Sequence, residues 1–223
     1  MYKLINNDCI DEMEKMPDNS VDCTLTDIPY DVVNRDSNGL RNLNKSKADV
    51  LTFELSVFLD EVYRLTKSTI IIFCSKEQLS YIHNYFNNKK GTVRQGVWQK
   101  SNPMPSNGQY VYLSGIENFI WFKKPKGTFN AHCKNPVLVH PNGSSKIHPT
   151  EKNHELLKEL ILDNTNKGDV IFDPCFGSGS TGIISMQENR KFIGIELDEG
   201  YFATAKKRID AIIGQTIRRG KYE

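Results

Sequence analysis

The stretch Asp169-Val170-Ile171-Phe172-Asp173-Pro174-Cys175-Phe176-Gly177-Ser178-Gly179-Ser180-Thr181-Gly182 reads as a short strand, a glycine loop and the start of a helix at about Ser180. Glycine tolerates positive φ and lets a ligand approach the backbone closely, so a loop of this kind between a strand and a helix is a candidate binding turn. A glycine loop alone is a weak signal, and an ordinary tight turn is the competing account. The next apolar run strengthens it: Phe192-Ile193-Gly194-Ile195-Glu196-Leu197-Asp198 ends in an acid about 20 residues after the loop, where a carboxylate can accept from ribose hydroxyls. The loop departs from GxGxxG and lacks the lysine of a phosphate-binding loop. With acids at its rim, it suits a cationic nucleoside cofactor better than a pyrophosphate.

Outward from this stretch, strand and helix patterns alternate. Val21–Thr26, Thr69–Cys74, Arg94–Trp98, Asn118–Phe122 and Lys191–Glu196 read as strands. Residues 51–66, 76–87, Glu155–Leu162 and Asp198–Ile213 carry helical spacing. This alternation predicts an α/β fold with a doubly wound, mostly parallel sheet, in a single domain over residues 1–223. Residues 34–49 are polar and are expected to form a mobile loop, and residues 125–147 form a short segment of little periodicity.

Composition narrows the class. Hydrophobic residues are 38% and charged residues 25% of 223, which is globular usage. No apolar run approaches the roughly 20 residues of a membrane span, and the polar start MYKLINNDCIDEMEK does not read as a signal peptide, so a cytoplasmic protein is expected. The five cysteines, Cys9, Cys23, Cys74, Cys133 and Cys175, form no CxxC pair, so neither a disulfide framework nor a metal site is expected. The net charge of +2 hides an asymmetry: residues 89–150 hold nine bases and one acid, Glu117. That stretch predicts either a polyanion-facing surface or a solvated basic face.

A second motif, Thr26-Asp27-Ile28-Pro29-Tyr30, closes a strand with a carboxylate, a proline-fixed turn and an aromatic ring. Such a group can accept hydrogen bonds from an amino group while the ring stacks on a base. An ordinary strand exit is the alternative.

Together the two motifs resemble the amino-methylating DNA methyltransferases in their β arrangement, where the catalytic motif precedes the cofactor loop. The family's Asp-Pro-Pro-Tyr stands here as Asp27-Ile28-Pro29-Tyr30, and its Asp-Pro-Phe-x-Gly-Ser-Gly is matched from Asp173 to Gly179. His148-Pro149-Thr150-Glu151-Lys152, Asn7-Asp8-Cys9, the stretch from Trp98 to Pro105 and the stretch from Glu117 to Lys124 also fit it. The resemblance implies a Rossmann-like methyltransferase fold with circularly permuted motif order, S-adenosylmethionine as cofactor and double-stranded DNA as partner. It implies a catalytic group of Asp27, Pro29 and Tyr30, with a backbone carbonyl at Ile28 or Pro29 as second amino-hydrogen acceptor. Cofactor contacts are expected from Asp8, Cys9, Thr150, Lys152, Asp173, Pro174, Phe176, Gly177, Ser178, Gly179, Ser180, Thr181, Glu196 and Leu197. DNA contacts are expected from Lys100, Asn102, Lys123, Lys124 and Lys126. For Asp8 a turn, and for Thr150 a helix cap beside a solvated Lys152, are the competing accounts. The implied reaction methylates the exocyclic amino group of a flipped-out adenine, with amino-cytosine methylation and a catalytically silent DNA-binding homologue as alternatives. The resemblance implies a bacterial or phage-encoded, nucleoid-associated protein. Homodimerisation, a cognate restriction endonuclease and a specificity partner stay open. Two departures stand out: Ile28 replaces a proline, and the segment before His148, where the family inserts its target-recognition region, is short.

Overall fold

A computed structural model describes residues 1–30, 51–105, 108–143 and 152–219, with side chains up to residue 212. The first half of the chain forms β1 (Tyr2–Asn6), α1 (Cys9–Met13), β2 (Val21–Asp27), α2 (Leu55–Leu65), β3 (Thr66–Cys74) and α3 (Lys76–Asn87). The second half forms β4 (Thr92–Lys100), β5 (Ile116–Lys123), β6 (Val137–His140), α4 (His154–Asn164), β7 (Val170–Asp173), α5 (Ser180–Gln187), β8 (Lys191–Glu196) and α6 (Glu199–Arg219). The expected loop over 34–49 lies outside the described residues. The 125–147 segment, described up to residue 143, contributes the short edge strand β6.

The eight strands form one sheet in the order β1-β8-β7-β2-β3-β5-β4-β6. Only β5 runs antiparallel to its neighbours; the other pairings are parallel. Strand side chains alternate between the two faces. Ile70, Ile72 and Cys74 therefore pack with Met13, Phe58, Val62, Ile82 and Phe86 from α1, α2 and α3. Ile71 and Phe73 pack on the opposite face with Leu157, Ile161, Ile183, Ala205 and Ile209 from α4, α5 and α6. Helices on both faces of a parallel sheet confirm the doubly wound reading. The sequence reading missed β1, α1 and β6. β1 and β6 are short edge strands with one buried position between them, so neither shows a buried apolar run.

Residue 182 shows how closely α5 rides the sheet. A Cβ built on Gly182 would meet the Phe192 ring at 2.7 Å and Ile209 Cδ1 at 2.9 Å. Both neighbours are about 1% exposed and have nowhere to move. Gly182→Ala should therefore cost about 1–3 kcal/mol through overpacking, despite alanine's better helix propensity, and lower the thermal midpoint by several degrees. An unchanged or raised midpoint in calorimetry would show that α5 can lift off β8.

Candidate active site

Parallel strands deliver their C-terminal residues to one edge of the sheet. Here these residues include Asp27 from β2, Asp173 from β7 and Glu196 from β8. β2 and β7 are neighbours, yet the chain winds outward from them in opposite directions, and such a reversal opens a crevice at the C-terminal edge. β5 runs the other way, so its first residues arrive at the same edge: Cys74 at the end of β3 faces Asn118. Gln99, near the end of β4, faces Ile116. Glu117 and Lys100 thereby join the crevice.

On the β7–β8 side lies the glycine loop. Gly179 has φ +82°, and a Cβ there would reach 2.9 Å from Ala205 Cβ, so the loop needs glycine at this turn. Asp173 is 3% exposed, and its Oδ1 accepts from the Cys175 N–H at 3.2 Å. Burial lifts its carboxyl to about 7, against the opposing effect of the Thr26 and Thr181 hydroxyls and that N–H. Glu196 accepts from the Gly177 N–H at 2.9 Å and the Asp198 N–H at 2.8 Å, so it clamps the loop to the tip of β8. Burial also raises its carboxyl, against those bonds. The side chain of Asn6 donates to the Glu196 carbonyl at 2.8 Å, which ties β1 to the same tip. The ion pairs among the described residues include none to Asp173 or Glu196.

The remaining expected cofactor residues surround these acids. Phe176, 4% exposed, packs between Phe192 and Phe202, and the Ser178 and Ser180 hydroxyls bond at 3.1 Å. Thr181 is buried in the first turn of α5, whereas Leu197 is 53% exposed at the rim. Pro174 belongs to the turn leaving β7. Asp8 caps α1, accepting from the Ile10 N–H at 2.8 Å, which is the turn reading of that residue. The neighbouring Cys9 thiol and burial hold the Cys175 thiol well above its ordinary range. A thiol held protonated is no nucleophile.

On the β2–β3 side the arrangement is different. Tyr30 Oη donates to Asp27 Oδ1 at 2.8 Å, and Lys152 Nζ pairs with Asp27 Oδ2 at 2.7 Å. The same ammonium lies 2.7 Å from Glu117 Oε2, and Lys100 Nζ lies 2.8 Å from Glu117 Oε1. Two carboxylates and two ammonium groups thus form one connected cluster. Burial raises the Asp27 carboxyl, with Lys152 opposing. Burial works against the Lys152 charge, but Asp27, Tyr30 and Glu117 outweigh it and hold the ammonium well above its ordinary range. Burial likewise works against Glu117, and its two lysines hold it below the ordinary range. Beside the cluster, the Gln78 side chain does two jobs. Its Oε1 accepts from the Ser75 N–H at 3.0 Å in the capping box of α3, and its Nε2 donates to the Pro29 carbonyl at 2.9 Å.

Lys152, expected on the cofactor side, sits on Asp27. Thr150, its motif partner, lies outside the described residues. The expected DNA contacts do not gather around the site either. Lys123 pairs across β5 with Thr69, six residues down the strand from Glu117, so Lys123, Lys124 and Lys126 lie at the opposite edge, about 20 Å away. There Lys124 donates to the Tyr63 carbonyl at 2.6 Å, and burial lowers its pKa. Lys100 is committed to Glu117. Asn102 does lie beyond the end of β4, where its side chain accepts from the Asn142 N–H at 2.6 Å. The basic run is contiguous in sequence but divided in space, because the β4–β5 hairpin turns it back on itself. Glu117 and Gln78 were missed as site residues. For Glu117 a signal existed: it is the single acid in that basic stretch.

The matches to known proteins agree with this geometry. Residues 21–207 match the family model of N6/N4 methyltransferases, described as DNA methylase. The Type II methyltransferase M.HinfI of Haemophilus influenzae is 27% identical over 94% of this chain and 68% of its own. The Type II methyltransferase M.HpaI of Haemophilus parainfluenzae is also 27% identical, over 94% and 74%. The crystal structure of the M1.HpyAVI–SAM complex superposes with a TM-score of 0.74 and 28% identity, covering 93% of this chain and 100% of the other.

Asp173 should leave a signature in the free protein. Its folded pKa of about 7 lies above the ordinary aspartate value of about 4, so the folded state holds the proton more tightly. The resulting stabilisation is full below pH 4 and is lost as pH rises to 7, by about 1.4 kcal/mol per unit. Asp173→Asn should remove this loss, so its stability relative to wild type should rise between pH 5 and pH 7. Urea unfolding at those pH values reads the difference; a constant difference would mean that Asp173 is already ionised.

Proposed function

The chain belongs to the DNA methylase family, and from that premise we propose that it transfers the methyl group of S-adenosylmethionine to the exocyclic amino group of an adenine flipped out of double-stranded DNA. The observation that carries this reading is the contrast between neighbouring carboxyls at one crevice. Among the described residues Asp173 and Glu196 pair with no cation, and they suit a ligand that brings its own positive charge. Asp27 already has its cation, so it can accept hydrogen bonds from a neutral amino group.

S-adenosylmethionine supplies an electrophilic methyl group on a positive sulfonium. In this proposal Asp173 holds the cofactor's amino group and Glu196 its ribose hydroxyls, while Phe176 closes the pocket below. Tyr30 presents its ring to the extruded base, a contact worth about 1–3 kcal/mol. Asp27 Oδ2 accepts one amino hydrogen. The Pro29 carbonyl already accepts from Gln78, so the proposal takes the Ile28 carbonyl as the second acceptor. These two bonds draw the nitrogen lone pair out of ring conjugation and aim it at the cofactor side of the crevice. Transfer would form the nitrogen–methyl bond as the sulfur–methyl bond breaks, leaving neutral S-adenosylhomocysteine, and the proton lost from the nitrogen would pass to solvent, so that catalysis rests on alignment and fixed charge. Ile28 in place of proline suits this geometry. Its side chain is 2% exposed in the core, and its N–H donates to the Phe73 carbonyl at 3.3 Å, a bond that proline could not make.

Mass analysis of nucleosides from DNA treated with the protein should show N6-methyladenine; N4-methylcytosine would overturn the choice of base. Asp27→Ala should abolish single-turnover transfer while leaving cofactor affinity near wild type. Tyr30→Phe should lose about three- to tenfold, because the ring stays but the bond to Asp27, worth about 0.5–1.5 kcal/mol, is gone. Tyr30→Ala should lose more. Transfer at the wild-type rate by Asp27→Ala would remove this segment from the chemistry.

A further inference from the structure

Both oxygens of Asp27 are engaged in the free protein: Oδ1 by the Tyr30 hydroxyl, Oδ2 by the Lys152 ammonium. A target amino group approaching Oδ2 meets a cation in its place. That cation has only 10% of its side-chain surface exposed and lies over the Phe73 ring at 4.8 Å, so release into solvent is not its easy alternative. Glu117 provides another. Its Oε2 is as near to Lys152 as Asp27 is, and its Oε1 is anchored by Lys100 on the adjacent strand β4.

We propose that Lys152 is a positioning residue of the reaction: its ammonium holds the Asp27 carboxylate in place until the target amino group takes Oδ2, and Glu117 then retains the ammonium. The proposal rests on the reading that Asp27 accepts amino hydrogens, and it assigns Lys152 to the base rather than to the cofactor. The ammonium moves between two carboxylates, no proton need be transferred, and the charge of the cluster is unchanged by the exchange. Loss of Lys152 would leave Asp27 facing Glu117 at the start of β5, Asp173 on β7, the Tyr30 hydroxyl and the Cys74 thiol, with Lys100 as the remaining cation of the cluster. Such surroundings favour the protonated carboxyl, which cannot orient an amino group by accepting at both oxygens.

Three variants, Lys152→Met, Lys152→Arg and Glu117→Gln, test this after circular dichroism has established that they fold. In the free protein, carbon-13 NMR of the Asp27 carboxyl should show its titration midpoint raised by more than one pH unit in Lys152→Met and largely restored in Lys152→Arg. The acid limb of the single-turnover rate should move by the same amount, while S-adenosylmethionine affinity by calorimetry stays within about twofold. In Glu117→Gln the ammonium loses its second carboxylate, stays on Asp27 and competes with the base, so KM for DNA should rise about tenfold with a smaller change in kcat. An Asp27 midpoint that is unmoved in Lys152→Met, a loss of cofactor affinity instead, or an unchanged KM in Glu117→Gln would overturn the proposal. Should the wild-type protein fail to methylate DNA, the proposed function falls, whereas the carboxyl titration in free protein still decides whether Lys152 controls Asp27.

Discussion

The parallel pairing of β2 with β7, from which the chain winds away in opposite directions, is the constraint on which the site depends. It leaves the C-terminal ends of both strands uncovered by a crossover, and places Asp27 and Asp173 on adjacent strands at the mouth of the gap. In a sheet wound in one direction only, a connection would fill the crevice between such strands. The lone antiparallel strand completes the arrangement. A parallel strand can offer this edge only its last residue, whereas β5 offers its beginning, and so an acid enters from the far half of the sheet.

Removing charge from water is costly unless it is paired, and the two sides of the crevice meet that cost in different ways. Around Asp27 the protein supplies its own counter-charges, and the four-membered cluster is neutral as a whole. Around Asp173 the described residues supply hydroxyls and one backbone N–H but no paired cation, and burial lifts the carboxyl to about 7. A site finished electrostatically suits a neutral guest; an unfinished one suits a charged guest. The same residue type thus takes two roles within one crevice, set by its neighbours and not by its own chemistry.

What was legible in the sequence was local. The glycine loop, the strand ending in Glu196 and the Asp27–Tyr30 turn are short motifs whose chemistry lies within a few consecutive residues, and the structure brings all three to one edge. The alternation of buried runs with helical spacing gave the layering on both faces of the sheet. What was not legible depends on register between distant segments. Lys152 and Glu117 are 35 residues apart and meet through the antiparallel pairing of β3 with β5, which no spacing rule reveals. The same pairing undid the linear reading of charge. A count along residues 89–150 cannot register that a hairpin sends Lys100 to one edge and Lys123 to the other. Asp8 illustrates the converse: its role at the start of α1 is local, and the turn reading of Asn-Asp anticipated it.

The Gln78 side chain has a consequence for which substitutions the fold can accept through evolution. Glutamate is the usual equivalent of glutamine at this place in a capping box, since only a side-chain oxygen is needed to receive the Ser75 N–H. Here the other end of the amide must donate to the Pro29 carbonyl. A carboxylate would keep the helix start and turn two acceptors toward each other at the active-site turn. A lysine would serve the turn and lose the cap. The position is therefore restricted by two unrelated neighbours at once, and drift at the head of α3 is confined by the turn that follows β2.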